Sequence, residues 1–309
     1  MSYASKIPQY VFFGTPNFAA IVLERLIAAG FPPACVVCNP DKPVGRKKVI
    51  TPPPAKLVAQ KNGIRVWQPE KLSAEGVHQR SILLRRRSAS GGEAVSYKSE
   101  VGEVDFAVVA AYSKIIPKNI IEIPAMGVIG VHPSLLPKHR GASPIQSTIL
   151  HGDEETGVTL FLIDEKVDHG PILAQARINS HGSWVMYIEL QKKLAELAGD
   201  LLIETFPKFL TGEIVPRAQN ESEATYTKKF SSEDAYIPPD DLALAISGED
   251  QNMAELIERK IRALNPEPGV WTMKNEKRTK LLEAEIQGGK LRLKKVQIEG
   301  KKSQNINML

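Results

Sequence analysis

The apolar positions of this chain fall in short runs, separated by breaks rich in proline, glycine and charge. Tyr10–Phe13 is a β-type run ending at Gly14. The stretch FAAIVLERLIAAG, residues 18–30, then repeats its apolar residues at helical spacing and stops at a glycine. Thr15 suits the cap of that helix and Pro16 its first turn. Ala34–Cys38 is again β-type. Strand, glycine turn, helix and strand predict a βαβ unit and hence a parallel sheet. Residues 39–56, NPDKPVGRKKVITPPPAK, are too rich in proline for a helix or a central strand and predict a loop. Leu57–Lys61 reads as helix and Ile64–Trp67 as a short strand. Residues 81–103 mix a basic cluster with small turn-forming residues and predict a surface insertion.

Phe106–Ala111 is apolar throughout, as a central parallel strand is. Val128–Val131 is the next strand and leads into His132. Helix is predicted through Gln146–Leu150, and strands over Gly157–Leu162 and Pro171–Ile178. A long amphipathic helix is predicted from Trp184 to Thr205, its apolar face running through Ile188, Leu194, Leu197 and Leu201. Pro207–Phe230 has no periodicity and reads as a linker between domains. Beyond it a helix, Met253–Leu264, precedes short strands at Val270–Thr272, Leu281–Ile286 and Leu291–Ile298. Their Asn and Gly-Gly turns predict a small β-barrel.

Composition adds three limits. At 309 residues, 42% hydrophobic and 24% charged, the chain has the make-up of a globular protein with two domains. No apolar run is long enough to span a membrane, and the N-terminal stretch is too short for a secretion signal, so the cytoplasm is the expected location. Cys35 and Cys38 have the CxxC spacing of redox or zinc sites, but ACVVCNP reads as a buried strand in which cysteine is a small hydrophobe. The net charge of +5 is concentrated: residues 271–302 hold ten Lys/Arg against four Glu. Such a basic segment suits a polyanionic partner, or a lysine-rich solvated face. The first turn carries a single glycine, which argues against a dinucleotide fingerprint and nicotinamide chemistry.

The candidate chemistry lies in Gly127–Pro144, GVIGVHPSLLPKHRGASP, where a strand delivers His132 into a polar loop. Asp168, in LIDEKVDHGPIL, stands at the end of another apolar run. A histidine and a carboxylate from two strand ends can form an acid–base pair, although a histidine taken alone is more often structural.

Several ordered segments carry a resemblance: FFGTPNFA at 12–19, DKPVGRKKVITPPPAK at 41–56, AAYSKIIP at 110–117, VHPSLLPKHRGASPIQ at 131–146, DEETGVTL at 153–160 and DHGPILAQ at 168–175. ATYTKKFSSEDA and IRALNPEPGVWT extend it into the C-terminal part. Over nearly its whole length the chain resembles the methionyl-tRNA formyltransferase family. The resemblance implies an α/β protein: a Rossmann-like parallel-sheet formyltransferase domain at 1–206, a linker at 207–224, and a small OB-like β-barrel that binds tRNA at 225–309. It implies formyl transfer from 10-formyltetrahydrofolate to the α-amino group of initiator methionyl-tRNA, without a metal, by a monomer.

By the same resemblance His132 and Asp168 are catalytic, with His132 donating to the oxyanion of a tetrahedral intermediate. Ser134, Leu135, Leu136 and Pro137 contact the folate, and Tyr112, Ile115 and Ile116 wall its ring pocket. Arg46, Lys47 and Lys48 contact the tRNA. Where the family has asparagine in Asn-x-His, this chain has Gly130-Val131-His132. Loss of one oxyanion donor costs about 10²–10³ in rate, so impaired turnover is expected. Other formyltransferases, acting on glycinamide ribonucleotide or a sugar nucleotide, remain alternatives, as does a catalytically weak folate- or tRNA-binding protein. The basic loop and basic C-terminal segment favour tRNA. The remaining histidines, His78, His139, His151 and His181, read as surface or loop residues, and His169 carries no assigned role.

Overall fold

A computed structural model describes residues 8–45, 47–72, 104–179 and 185–306. Arg46 and the 81–103 insertion lie outside the described residues, as do His78, His181 and Trp184. The strands are β1 (Tyr10–Gly14), β2 (Cys35–Val37), β3 (Lys42–Val44), β4 (Val49–Thr51), β5 (Arg65–Trp67), β6 (Phe106–Ala110), β7 (Val128–His132), β8 (Arg140–Gly141), β9 (Glu155–Leu162), β10 (Ile172–Asn179), β11 (Tyr226–Thr227), β12 (Trp271–Lys274), β13 (Lys277–Gln287), β14 (Lys290–Ile298) and β15 (Gln304–Asn305). The helices are α1 (Asn17–Ala28), α2 (Pro54–Lys61), α3 (Lys118–Ile121), α4 (Pro144–His151), α5 (Tyr187–Leu210), α6 (Pro239–Ser247) and α7 (Gln251–Leu264). They divide between two compact units, one of residues 1–140, 157–177 and 192–224, the other of 141–156, 178–191 and 225–309.

The first unit is built on a seven-stranded sheet in the order β10-β9-β7-β6-β1-β2-β5. Strands β7, β6, β1, β2 and β5 are parallel, and β9 is antiparallel to β7. The α/β, parallel-sheet expectation is met. The central strands are apolar along their whole length because both faces are covered. α1 buries Phe18, Val22, Leu23 and Leu26. Tyr10 and Phe106 sit opposite each other in the ladder with rings stacked 5.4 Å apart, and Phe206 of α5 closes on Phe106 at 5.0 Å. The buried Tyr10 hydroxyl donates to Phe31 O at 2.7 Å, which satisfies it and ties β1 to the end of α1.

Several local expectations change. Thr15 does not cap α1: the cap residue is Pro16, and Thr15 Oγ1 instead accepts from Asn39 N at 3.2 Å. The 39–56 segment, expected as pure loop, folds back as the β3–β4 hairpin, because Gly45 and Lys48 adopt positive φ; Pro43 is tolerated since this ribbon has only two strands. α2 begins at Pro54, in the first turn where a missing N–H costs nothing. α5 continues past Thr205 to Leu210, and Ile188, expected on its buried face, is 56% exposed.

In the second unit the expected small barrel corresponds to a four-stranded antiparallel sheet, β12-β13-β14-β15, with α7 packed on β13 and β14. The β12–β13 and β13–β14 hairpins use two-residue turns whose central residues have positive φ: Asn275 and Glu276, then Gly288 and Gly289. Asn265 splices helix to sheet, its amide donating to Ile261 O and Leu281 O at 2.9 Å. α6 lies in a stretch whose Pro-Pro-Asp-Asp start, at 238–241, hid a helix N-terminus from the sequence reading. Among the described residues no helix is long and apolar enough to cross a membrane.

Cys35 and Cys38 are both free and fully buried. Burial pushes the Cys35 thiol up to about 12 and the Cys38 thiol up to about 11, which fits the strand reading of the CxxC stretch.

Candidate active site

The parallel strands of the first unit end along one edge, and this edge collects the polar residues. β7 delivers His132, 5% exposed, at its last position. His132 Nε2 lies 2.8 Å from His139 O and Nδ1 lies 3.5 Å from Asp168 Oδ2. A carbonyl only accepts, so Nε2 carries the proton of that bond. The free working edge of the ring is therefore Nδ1, facing the Asp168 carboxylate at a distance longer than a well-formed hydrogen bond. The structure thus brings the two sequence-predicted catalytic residues together. His139, read as a surface or loop residue, lies in a turn but is buried, has φ +60°, and its carbonyl holds the His132 ring.

Asp168 itself has φ +48°, a conformation costly for most L-residues and tolerated best by Asn and Asp. Its carbonyl and that of Gly170 accept from the Gln219 amide at 2.9 and 2.8 Å. Next to it, His169 Nδ1 meets Asp164 Oδ2 at 2.6 Å.

The loop after His132 is locked from below. Ser134 Oγ donates to Lys138 O at 2.6 Å, Thr159 Oγ1 donates to Ser134 O at 2.7 Å and accepts from Leu136 N at 3.0 Å. Gln175 adds bonds to Leu136 O and Thr159 Oγ1 at 2.9 Å each. Ser134 and Leu136 are therefore buried and internally engaged, while Leu135 and Pro137 are half-exposed. Thr159 and Gln175, which the sequence reading passed over, carry no motif of their own and stand on strands that hold other polar residues too.

Gly130 lies two residues before His132 on the same face of β7, directly opposite Phe161 of β9. A Cβ at position 130 would stand 2.5 Å from Phe161 Cε1, 2.6 Å from Cζ and 3.0 Å from Ile163 Cγ1. Phe161 is buried among Leu136, Ile172 and Ile163. The ring fills the space that a side chain at position 130 would need.

Farther along the strand edge, Asn39 Nδ2 donates to Ser113 Oγ at 2.8 Å, and Lys114 Nζ donates to Pro69 O and Glu70 O at 2.7 and 2.8 Å, pinning the 110–117 loop. Among the described residues, Asn39 Oδ1 and the Tyr112 hydroxyl are buried without a partner. Burial pushes the Tyr112 hydroxyl up to about 12. Ile115 is almost fully exposed and Ile116 half-buried. Lys47 and Lys48 are exposed on the β3–β4 hairpin, and Arg46, between Gly45 and Lys47, is outside the described residues.

Residues 9–206 match the formyl transferase family and residues 251–290 the formyl transferase C-terminal domain. The methionyl-tRNA formyltransferase of Halorhodospira halophila is 36% identical over 285 residues, covering 91% of this chain and 80% of that protein. That of Kosmotoga olearia is 39% identical over 276 residues, covering 89% and 79%. Among solved structures, the methionyl-tRNA formyltransferase of Clostridium thermocellum aligns with a TM-score of 0.56 at 19% identity, covering 94% of this chain and 98% of that one. An N-formyltransferase of Helicobacter canadensis, in complex with folinic acid and dTDP-3-aminofucose, aligns with a TM-score of 0.58 at 18% identity, covering 91% and 88%. At these identities the two structures share the fold.

Proposed function

This chain belongs to the methionyl-tRNA formyltransferase family, and on that premise we propose that it transfers a formyl group from 10-formyltetrahydrofolate to the α-amino group of initiator methionyl-tRNA. The observation that carries the reading is the His132–Asp168 pair beside the locked Ser134–Pro137 loop. The folate supplies the formyl carbon. With Nε2 already donating to His139 O, the His132 ring in its doubly protonated form also donates from Nδ1 to the formyl oxygen as negative charge collects there. Asp168 faces that ring edge and receives the proton shed by the attacking amine, directly or through one water; as the intermediate collapses, the bond from the formyl carbon to the folate nitrogen breaks and that nitrogen takes up the proton as it leaves. The folate ring is taken by the half-exposed Leu135 and Pro137 with the backbone of Ser134 and Leu136, and by Tyr112, Ile115 and Ile116. A planar ring with donors and acceptors fits this set: the apolar residues cover its faces and the unpartnered Tyr112 hydroxyl meets its polar edge.

In this reading residues 1–206 carry the chemistry, 207–224 join the domains and 225–309, the OB-like domain, hold tRNA. Lys274, Lys277, Lys280 and Lys294 are exposed on its sheet, and Lys47 and Lys48 add exposed basic residues on the β3–β4 hairpin of the first unit; Arg46, outside the described residues, is assigned to the same tRNA contact. The enzyme works as a cytoplasmic monomer. A second reading, a slow enzyme or a binding protein, draws on Gly130: position 130 has no side-chain amide to offer the oxyanion, and Phe161 occupies its place. A single-turnover assay with charged initiator tRNA and 10-formyltetrahydrofolate tests both. Formyl transfer to the tRNA is expected; transfer only to glycinamide ribonucleotide or an amino-sugar nucleotide would refute the acceptor, and no transfer at all would leave the binding protein.

A further inference from the structure

The stretch around Gln219 falls where the sequence predicts a featureless linker, yet it is strapped onto the loop that carries Asp168. Arg217 and Ile172 exchange two backbone bonds, 2.7 and 2.9 Å long. Two residues on, Gln219 Nε2 donates to Asp168 O and Gly170 O. Gln219 Oε1 accepts from Arg140 Nε at 3.1 Å and Arg140 Nη2 at 2.8 Å. The Arg140 guanidinium, 0% exposed, also grips Glu221, with Nη1 to Oε2 at 3.0 Å and Nη2 to Oε1 at 2.6 Å. The orientation of the Gln219 amide is fixed by this company. Reversed, it would set its NH₂ against a guanidinium and its oxygen against two carbonyls.

Arg140 closes the loop that His132 opens, and Gln219 bonds the backbone of Asp168. One guanidinium and one amide thus connect the loops bearing the two members of the acid–base pair. We propose that Gln219, backed by Arg140, is a positioning residue: it holds Asp168 in its left-handed backbone conformation and so sets the carboxylate against His132 Nδ1. It touches no reacting atom. A backbone that is costly at φ +48° persists only where neighbours determine it, and the paired bonds to Asp168 O and Gly170 O bracket that residue on its C-terminal side. Glu221, which the Arg140 guanidinium holds below the ordinary carboxylate range, anchors the outer end of the strap and also lies 3.5 Å from His169 Nε2.

The kinetic half of this proposal rests on the formyl-transfer reading, so its test has two readouts. Gln219→Glu keeps the shape and strengthens the contact to Arg140, but turns oxygen toward both carbonyls. Hydrogen–deuterium exchange over residues 163–172 is expected to rise at least tenfold, with exchange in β1 and β6 unchanged. The kcat for formyl transfer is expected to fall 10- to 100-fold, while KM for folate and for tRNA stays within threefold. Glu221→Gln, on the exposed side of the strap, gives a second variant that keeps a hydrogen-bonding side chain against Arg140; a two- to fivefold rise in the same exchange is expected. Unchanged exchange in both variants, or a change in KM with kcat intact, overturns the proposal. If the parent protein transfers no formyl group, the functional reading fails by itself, and the strap is judged on exchange alone: a rise supports it and no rise overturns it.

Discussion

Restoring asparagine at position 130 is the most direct perturbation of this site, and the structure makes its outcome specific. Carbon–carbon contacts settle near ~3.5–4.0 Å, whereas the new Cβ would stand 2.5 and 2.6 Å from the Phe161 ring. The ring must therefore withdraw by roughly 1 Å to regain normal contact, yet Leu136, Ile172 and Ile163 surround it. Overpacking of this kind costs about 1–3 kcal/mol. Gly130→Asn alone is expected to lower unfolding stability by that amount and to raise the formylation rate less than about tenfold, because the amide is pushed off the donor position. With Phe161→Val the ring is gone. That change alone leaves a void, at somewhat less than the ~3–5 kcal/mol of a Phe→Ala change, and the Gly130→Asn side chain refills part of it. The double variant is expected to gain about 10²–10³ in single-turnover rate, the worth of one oxyanion donor, or about 2.7–4 kcal/mol. Urea unfolding and single-turnover formylation of the four proteins check this. A stable Gly130→Asn protein with a hundredfold gain would refute the steric argument. A double variant without gain would refute the assignment of position 130 as the missing donor.

Three further outcomes follow from the same structure. Arg262 and Glu258 pair at 2.6 Å inside α7 with both side chains buried, so Arg262→Met, which strands the carboxylate, should cost about 3–5 kcal/mol in urea unfolding. Lys228 beside Asp234, with Ser231 N donating to it, lowers the Asp234 carboxyl to about 2. A depressed carboxyl stabilises the fold above its ordinary value of 3.8 and loses that contribution as pH falls through about 2, so the stability gap between parent and Asp234→Asn should be constant from neutral pH to about 5 and close on further acidification. Iodoacetamide at pH 8 should leave Cys35 and Cys38 unmodified in the native protein and alkylate both in urea, read by intact mass; rapid native labelling would contradict their burial and raised thiols.

Much of the first unit was legible in the chain. β1, β2, β6 and β7 are apolar runs whose ends the sequence places within a residue or two, since strands covered on both faces must be apolar throughout. His132, Asp168 and the Ser134–Pro137 loop were legible by motif. Less was legible where polarity and proline conceal structure. The β3–β4 hairpin depends on a positive φ at Gly45, and α6 begins at two prolines that suit a first turn as well as a loop. Ile188 was misplaced because periodicity marks a face but cannot say where along a helix the covering layer ends.

What the sequence by itself determined is the local and the periodic: parallel strands joined by helices, a basic C-terminal sheet, and which residue types reach the strand ends. Hydrophobic patterning and turn chemistry act over a few residues, so they can be read without knowing the partners. Only the tertiary structure decided how the site is held. The His139 carbonyl on the His132 ring, the Phe161 ring in the space beside Gly130, and Gln219 reaching Asp168 and Arg140 across separations of 51 and 79 residues are all choices of partner. Hydrogen bonds and close packing act over ångströms in space and are indifferent to distance along the chain. Gln219 in a polar stretch and Gly130 in an apolar one acquire their meaning only when the sheet brings β7, β9 and the 217–221 strap together.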